Sequence, residues 1–281
     1  MMTNSIEKKD GSNSFMKKEK FCEFCGAELT QKTWIYDNKT RYLPVYDDCV
    51  CAEYQAEKAK LEEWAKKQEE HERKLELERK KQEKIKRLLG SSGMSVRAMN
   101  CKFEGYQVTL HNQEAVKICN EYVSNFKDIK NQKRNGLFLV GNCGVGKSHL
   151  AYATANALIE QGTSVICMTM IDLLLKLKSS YNSSEENEEK ILKVYEDCSL
   201  LVIDDLGKEK LTEWALQMVY AIIDRRYNAL KPIIVTTNYN AEELVSKFTI
   251  AGDSSTGKAV IDRLFEMCQY LPIKGDSYRK R

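Results

Sequence analysis

Gly141-Asn142-Cys143-Gly144-Val145-Gly146-Lys147-Ser148 satisfies the pattern G-x-x-x-x-G-K-[ST] at every fixed position. Its flanks suit it. Gly136–Val140 (GLFLV) reads as a short buried strand. His149–Gln161 reads as a helix, with Leu150, Ala153, Ala157 and Leu158 on one face and Gly162 at its end. A strand, a glycine turn and a helix in that order make a cradle for phosphate. Gly144 and Gly146 let the backbone turn its N–H groups inward, and the helix N-terminus adds partial positive charge at the same place. In such a cradle Lys147 reaches the β- and γ-phosphates of ATP and the Ser148 hydroxyl holds Mg²⁺.

Outward from the loop, apolar strand-like runs alternate with helical patterns. The runs are Leu137–Val140, Val165–Thr169, Leu200–Asp204, Ile233–Thr237 and Tyr270–Ile273; helical patterns lie near 147–160, 171–181, 212–229 and 241–247. This alternation predicts an α/β fold, a parallel sheet flanked by helices on both faces. Ser179–Lys190 (SSYNSSEENEEK) reads as an exposed loop. Parallel sheets bind ligands at the carboxyl ends of their strands, which selects two further groups. Leu200–Asp205 is an apolar strand ending in two carboxylates: Asp204 is placed to act on Mg²⁺ through water and Asp205 to polarise the attacking water. Pro232–Thr237 runs into Asn238, whose amide can hydrogen-bond the water or the γ-phosphate.

Composition bounds the rest. The chain has 281 residues, 42% apolar and 30% charged, enough for one large domain or two smaller ones. No run of 18 apolar residues is present, and Met1–Lys20 is polar with no apolar stretch behind it. A membrane-spanning or exported protein is therefore not expected, and the location expected is cytoplasmic. With 44 Lys and Arg against 41 Asp and Glu the net charge is +3, so any basic surface must be local.

The N-terminal third differs from the remainder. Met1–Lys20 is expected to be a disordered tail, 21–52 a small cysteine module, 53–90 a charged linker helix, and 91–281 the ATPase domain, with Gly90–Gly93 as the boundary. Glu53–Arg87 holds ten Glu and twelve Lys or Arg without Gly or Pro; its heptad seam is too polar for a strong coiled coil. Of ten cysteines, Cys101, Cys119, Cys143, Cys167, Cys198 and Cys268 stand singly and read as small buried hydrophobes. The other four form two close pairs, Cys22-x-x-Cys25 and Cys49-x-Cys51. Four thiolates on two knuckles can close a tetrahedron around structural Zn²⁺. The segment between, with Trp34, Ile35, Tyr36, Tyr42, Leu43 and Val45, suits a small hairpin that depends on the metal for its stability. Free or redox-active thiols are the other reading of this cluster.

Phosphate loop, acidic strand and asparagine-ended strand together resemble an AAA+ ATPase. More narrowly, residues from about 95 to 281 resemble the DnaC/DnaI helicase-loader and IstB transposition-helper family, through GLFLVGNCGVGKSHLAYATANAL, LLVIDDLGKEKLTEWALQMVYAIIDRRYNALKPIIVTTNY and GDSYRKR. The resemblance implies an AAA+ core without a separate lid domain. It makes Asn238 the sensor-1 residue, Arg263 an arginine reaching a neighbouring subunit's ATP, and Arg279 a sensor-2 arginine. Asp205 stands where many AAA+ proteins have Glu, which implies slow hydrolysis. The implied partners are a replicative DNA helicase held by the N-terminal module, single-stranded DNA, and further copies of the chain. Other implied functions are an IstB-type helper of a transposase acting on duplex DNA, and an adaptor whose nucleotide is structural. Arg225 and Arg226 are read as facing a neighbour, DNA or solvent, and Lys176, Lys178 and Lys193 as weak candidates for DNA contact.

Overall fold

A computed structural model describes residues 16–36, 39–181 and 185–278, with side chains throughout except at 179–181 and 185–188. The chain forms two compact units, Met1–Glu78 and Arg79–Arg281. In the first, β1 (Gln31–Tyr36) and β2 (Lys39–Tyr46) pair antiparallel as a hairpin, and the helix α1 (Ala52–Ser91) begins. The tail expected over Met1–Lys20 falls outside the described residues as far as 15. From Lys18 the chain is tied to the hairpin: Lys18 N–H donates to Gln31 Oε1 at 2.8 Å.

The division between the units falls inside α1, ahead of Gly90–Gly93. No residue of α1 is buried, yet Ile85, Leu88 and Leu89 pack on the core of the second unit. Gly90–Gly93 is not a loose tether. Ser92 is fully buried, and its carbonyl accepts the Cys167 N–H at 2.7 Å.

The second unit continues through α2 (Val96–Met99), α3 (Gln113–Ser124), α4 (Phe126–Ile129), β3 (Gly136–Val140), α5 (Lys147–Glu160), β4 (Val165–Thr169), α6 (Met170–Tyr181), α7 (Glu185–Asp197), β5 (Leu200–Leu206), α8 (Glu213–Asn228), β6 (Ile233–Thr237), α9 (Ala241–Lys247), α10 (Ser255–Met267) and β7 (Cys268–Pro272). Its sheet has the order β4-β5-β6-β3-β7, and every pairing is parallel. The strands are apolar on both faces because both faces are covered. Leu137, Leu139, Val202 and Ile234 pack with α3 and α5; Phe138, Leu201, Ile203 and Val235 pack with α6, α8 and α10.

The exposed loop read over Ser179–Lys190 is corrected: α6 runs to Tyr181 and α7 starts at Glu185, residues 182–184 lying outside the described ones. The acidic run EENEE favours a helix N-terminus, and Leu192 and Tyr195, three apart, bury one face. Polarity masked this helix; among its described side chains Ile191, Leu192 and Tyr195 reach the core.

The surface reading of Arg226 is corrected too, whereas Arg225 stays at the surface. Arg226 is wholly buried; its Nη1 donates to the carbonyls of Tyr195 and Cys198 (3.1 Å for the latter) and its Nη2 to that of Pro232 at 2.6 Å. It satisfies the chain where α7 enters β5 and where α8 leads into β6. Arg225 makes a two-pronged pair with Glu189, 2.8 Å on each arm. Arg226→Met keeps the length and leaves those carbonyls unpaired. Expected is a loss of about 3–5 kcal/mol, read in the denaturation midpoint.

Candidate functional site

The phosphate loop joins β3 to α5, and its glycines are required there. Gly144 and Gly146 have φ of +87° and +97°. A Cβ on Gly146 would stand 2.8 Å from the Tyr106 hydroxyl, and one on Gly144 would collide with Ser277. The loop is thus enclosed by chain from far away in sequence. Tyr278 N–H donates to Gly144 O at 3.0 Å, and the Tyr278 hydroxyl donates to Gln107 O at 3.1 Å.

Lys147 opens α5 and is buried. Its Nζ donates to Asn142 O at 2.8 Å and to Asn238 Oδ1 at 2.7 Å. The parallel sheet makes this meeting possible: β3 and β6 are neighbours in register, Val140 opposite Thr237, so their carboxyl ends deliver both residues to one place. Asp204, at the end of β5, is also buried, and both of its oxygens are held. Thr236 Oγ1 donates to Oδ1 at 2.5 Å, and the Tyr152 hydroxyl donates to Oδ2 at 3.0 Å. Burial and the adjoining Asp204 carboxylate push the Tyr152 phenol well above its ordinary pKa, so it stays a donor.

The β5–β6 register slips between Ile203 and Leu206, and Asp205 takes a left-handed φ of +59° there. Such a conformation costs a non-glycine residue about 1 kcal/mol or more and persists where the surroundings impose it. Thr236 supplies part of that constraint: its Oγ1 accepts the Asp205 N–H at 3.0 Å while donating to Asp204. Thr236→Val removes the hydroxyl at equal size. Expected is a fall in turnover of about 10–100-fold with nucleotide affinity within threefold of the parent, and recovery in Thr236→Ser; steady-state kinetics beside nucleotide titration read it.

Lys147, Tyr152, Asp204, Asp205 and Asn238 line one cleft of about 520 Å³, which is also lined by Cys143, Ser148, Lys208, Ser95, Arg97, Ala98, Tyr106 and Gln107. Asn156 fixes the Ala98–Cys101 wall of the cleft, its amide donating to the carbonyls of Ala98 (2.9 Å), Met99 (3.2 Å) and Cys101 (2.8 Å). Cys143 is exposed and Cys101 half-buried, unlike the buried positions expected of them. Thr236, Tyr152, Tyr106, Asn156 and Tyr278 were not selected from the sequence. Their residue types alone give no sign of these contacts, which the fold creates.

Arg263 lies outside this cleft. On α10, it pairs with Asp224 at 2.7 Å, donates to the Tyr220 hydroxyl at 3.1 Å and lies over the Tyr220 ring. Arg279 falls outside the described residues; Tyr278, just before it, sits on the phosphate loop.

In the first unit the sulfurs of Cys22, Cys25, Cys49 and Cys51 all lie within 4.8 Å of one another. Cys22 and Cys51 are 3.8 Å apart, and Cys25 and Cys49 3.4 Å. A tetrahedron with Zn–S bonds of ~2.3 Å has edges near ~3.8 Å, so the four thiols fit such an ion. The first knuckle favours thiolate: the Cys25 backbone N–H leads in drawing the Cys22 thiol down to about 7. At Cys51 the Tyr54 backbone N–H draws the thiol down, but burial and then the neighbouring thiols together push it up to about 12, and a metal offsets that cost.

Comparison with known proteins agrees with this geometry. The family model described as IstB-like ATP binding protein matches residues 51–281. The replicative helicase loader DnaC of Buchnera aphidicola subsp. Baizongia pistaciae is 32% identical over 73% of this chain and 80% of its own length. DnaC of Escherichia coli K12 is 30% identical over 70% and 77%. The crystal structure of the DnaC helicase loader is 31% identical, covers 64% of this chain and all of that one, and superposes with a TM-score of 0.55. The parallel sheet with its phosphate loop is an AAA+ core, and the chain belongs to the DnaC/IstB-like family of AAA+ ATPases.

Proposed function

We propose that this protein is an ATP-dependent loader of the replicative DNA helicase onto single-stranded DNA. The observation that carries the chemistry is the meeting of Lys147 and Asn238 beside buried Asp204, at the carboxyl ends of three adjacent strands of one sheet. The helicase as partner comes from relatives about 30% identical over most of their length.

In this reading the N–H groups of Gly141–Ser148 and the Lys147 ammonium bind the phosphates of ATP, and Arg97–Gln107 lie along the rest of the nucleotide. Ser148 and Asp204 hold Mg²⁺, which neutralises phosphate charge when bound. Phosphate displaces Lys147 from Asn238, freeing that amide to meet the γ-phosphate or the attacking water. Asp205 orients the water; its short side chain on a bulged strand suits slow turnover, as befits a switch. ATP favours the assembled, DNA-bound state and hydrolysis releases it. Arg263, turned from its own cleft, serves a neighbouring copy, and the zinc-bearing N-terminal unit with α1 holds the helicase. No helix among the described residues is long and apolar enough to cross a membrane.

The test is ATP hydrolysis with and without single-stranded oligonucleotide, together with DNA binding with and without ATP. Stimulation of the first or tightening of the second by about tenfold is expected. Neither effect, or a preference for long duplex, contradicts the loader reading, the latter in favour of a transposase helper.

A further inference from the structure

We propose that one face of the β1–β2 hairpin is a binding site for single-stranded nucleic acid, with bases stacking on Trp34 and Tyr36 and phosphates meeting Lys39 and Arg41. The register places these four together. Trp34 stands opposite Arg41 and Tyr36 opposite Lys39. Residues opposite one another across an antiparallel pair project to the same side, as do residues two apart along a strand. Ile35, opposite Thr40, points to the other side.

The rings are presented outward. Trp34 is 55% and Tyr36 65% exposed, with ring centroids 5.7 Å apart and planes inclined by 35°. The two strands carry Lys32, Lys39 and Arg41 and no carboxylate. Lys32 is 3.6 Å from Asp47, an exposed pair of small energy.

Charge and ring type together favour nucleic acid over a protein partner. Lysine is depleted from the cores of protein interfaces. Aromatic rings flanked by cations are what an unpaired strand needs, because every base has a π-face and every linkage a charge. The site is separate from the nucleotide cleft and does not depend on the loader reading.

The experiment uses the full-length, zinc-loaded chain without nucleotide. In Trp64→Phe/Trp214→Phe, Trp34 is the sole indole and the hairpin sequence is untouched. Titration with an oligo-dT should quench its fluorescence to a saturating limit. In the parent background, Trp34→Ala/Tyr36→Ala should weaken nucleotide-free binding of the same oligomer about 10–100-fold by anisotropy. Lys39→Glu/Arg41→Glu should flatten its salt dependence. Bound zinc, measured in each variant, reports an intact hairpin. An unquenched Trp34 overturns the proposal. So does wild-type affinity for oligo-dT in the aromatic variant, including the case where that variant loses helicase capture instead, which makes the face a protein contact.

Discussion

Lys147→Ala is expected to lower ATP affinity by about 100-fold or more in direct nucleotide titration, while leaving the fold intact. The ammonium is buried at the start of α5, where it donates to Asn142 O and Asn238 Oδ1. Charge-assisted bonds to phosphate are about twice as strong as neutral ones, and here they form inside a cleft that limits water. Asp205→Asn should behave differently. Its backbone is fixed by the bulge and by Thr236 Oγ1 whatever its side-chain charge. Nucleotide affinity should stay within threefold while turnover falls at least tenfold. Equal loss of binding in the two variants would contradict the roles given to them.

Removal of zinc is expected to unfold the hairpin unit and spare the ATPase unit. The hairpin has almost no core of its own: Trp34, Ile35, Tyr36 and Val45 are exposed, and its buried apolar residues are Cys22 and Cys49. Structural zinc at four cysteines contributes on the order of 10–16 kcal/mol of apparent binding energy, far more than a two-stranded ribbon supplies alone. A chelator, or Cys25→Ser, should therefore make residues 16–50 susceptible to limited proteolysis. The thermal transition of Arg79–Arg281, whose core is continuous through the five-stranded sheet, should stay within about 2 °C. Protease resistance unchanged by the chelator would make these four cysteines something other than a metal site.

The parts of the site carried by consecutive residues were legible in the sequence. The eight-residue loop needs only its own glycines, lysine and serine; the β5 run betrays itself by apolar character that stops at Asp204, and the β6 run by β-branched residues that stop at Asn238. The parts created by the sheet were not. Thr236 reads as one more strand residue until β5 and β6 pair and bring it between Asp204 and Asp205. The bulge that gives Asp205 its left-handed backbone has no signature in LLVIDDL, because it arises from the mismatch with the neighbouring strand. Charge misled in two places. Arg226 reads as a surface cation, yet two terminal guanidinium nitrogens are what the carbonyls converging from the end of α7 and the start of β6 require. EENEE was read as a loop, although acidic residues are favoured in the first turn of a helix. Tyr278 and Tyr106, which close over the loop from opposite ends of the ATPase unit, carry no local pattern.

The most direct test of the loader function is deposition of the cognate replicative helicase on a circular single-stranded DNA. Helicase retained on the circle after gel filtration would be measured with the full-length chain plus ATP, with Lys147→Ala plus ATP, and with no addition. Retention that requires the chain and ATP, and drops to the unassisted level with Lys147→Ala, is the result expected. Retention no greater with the chain than without it would contradict the function proposed here, while leaving the nucleotide site and the cysteine centre to serve another partner.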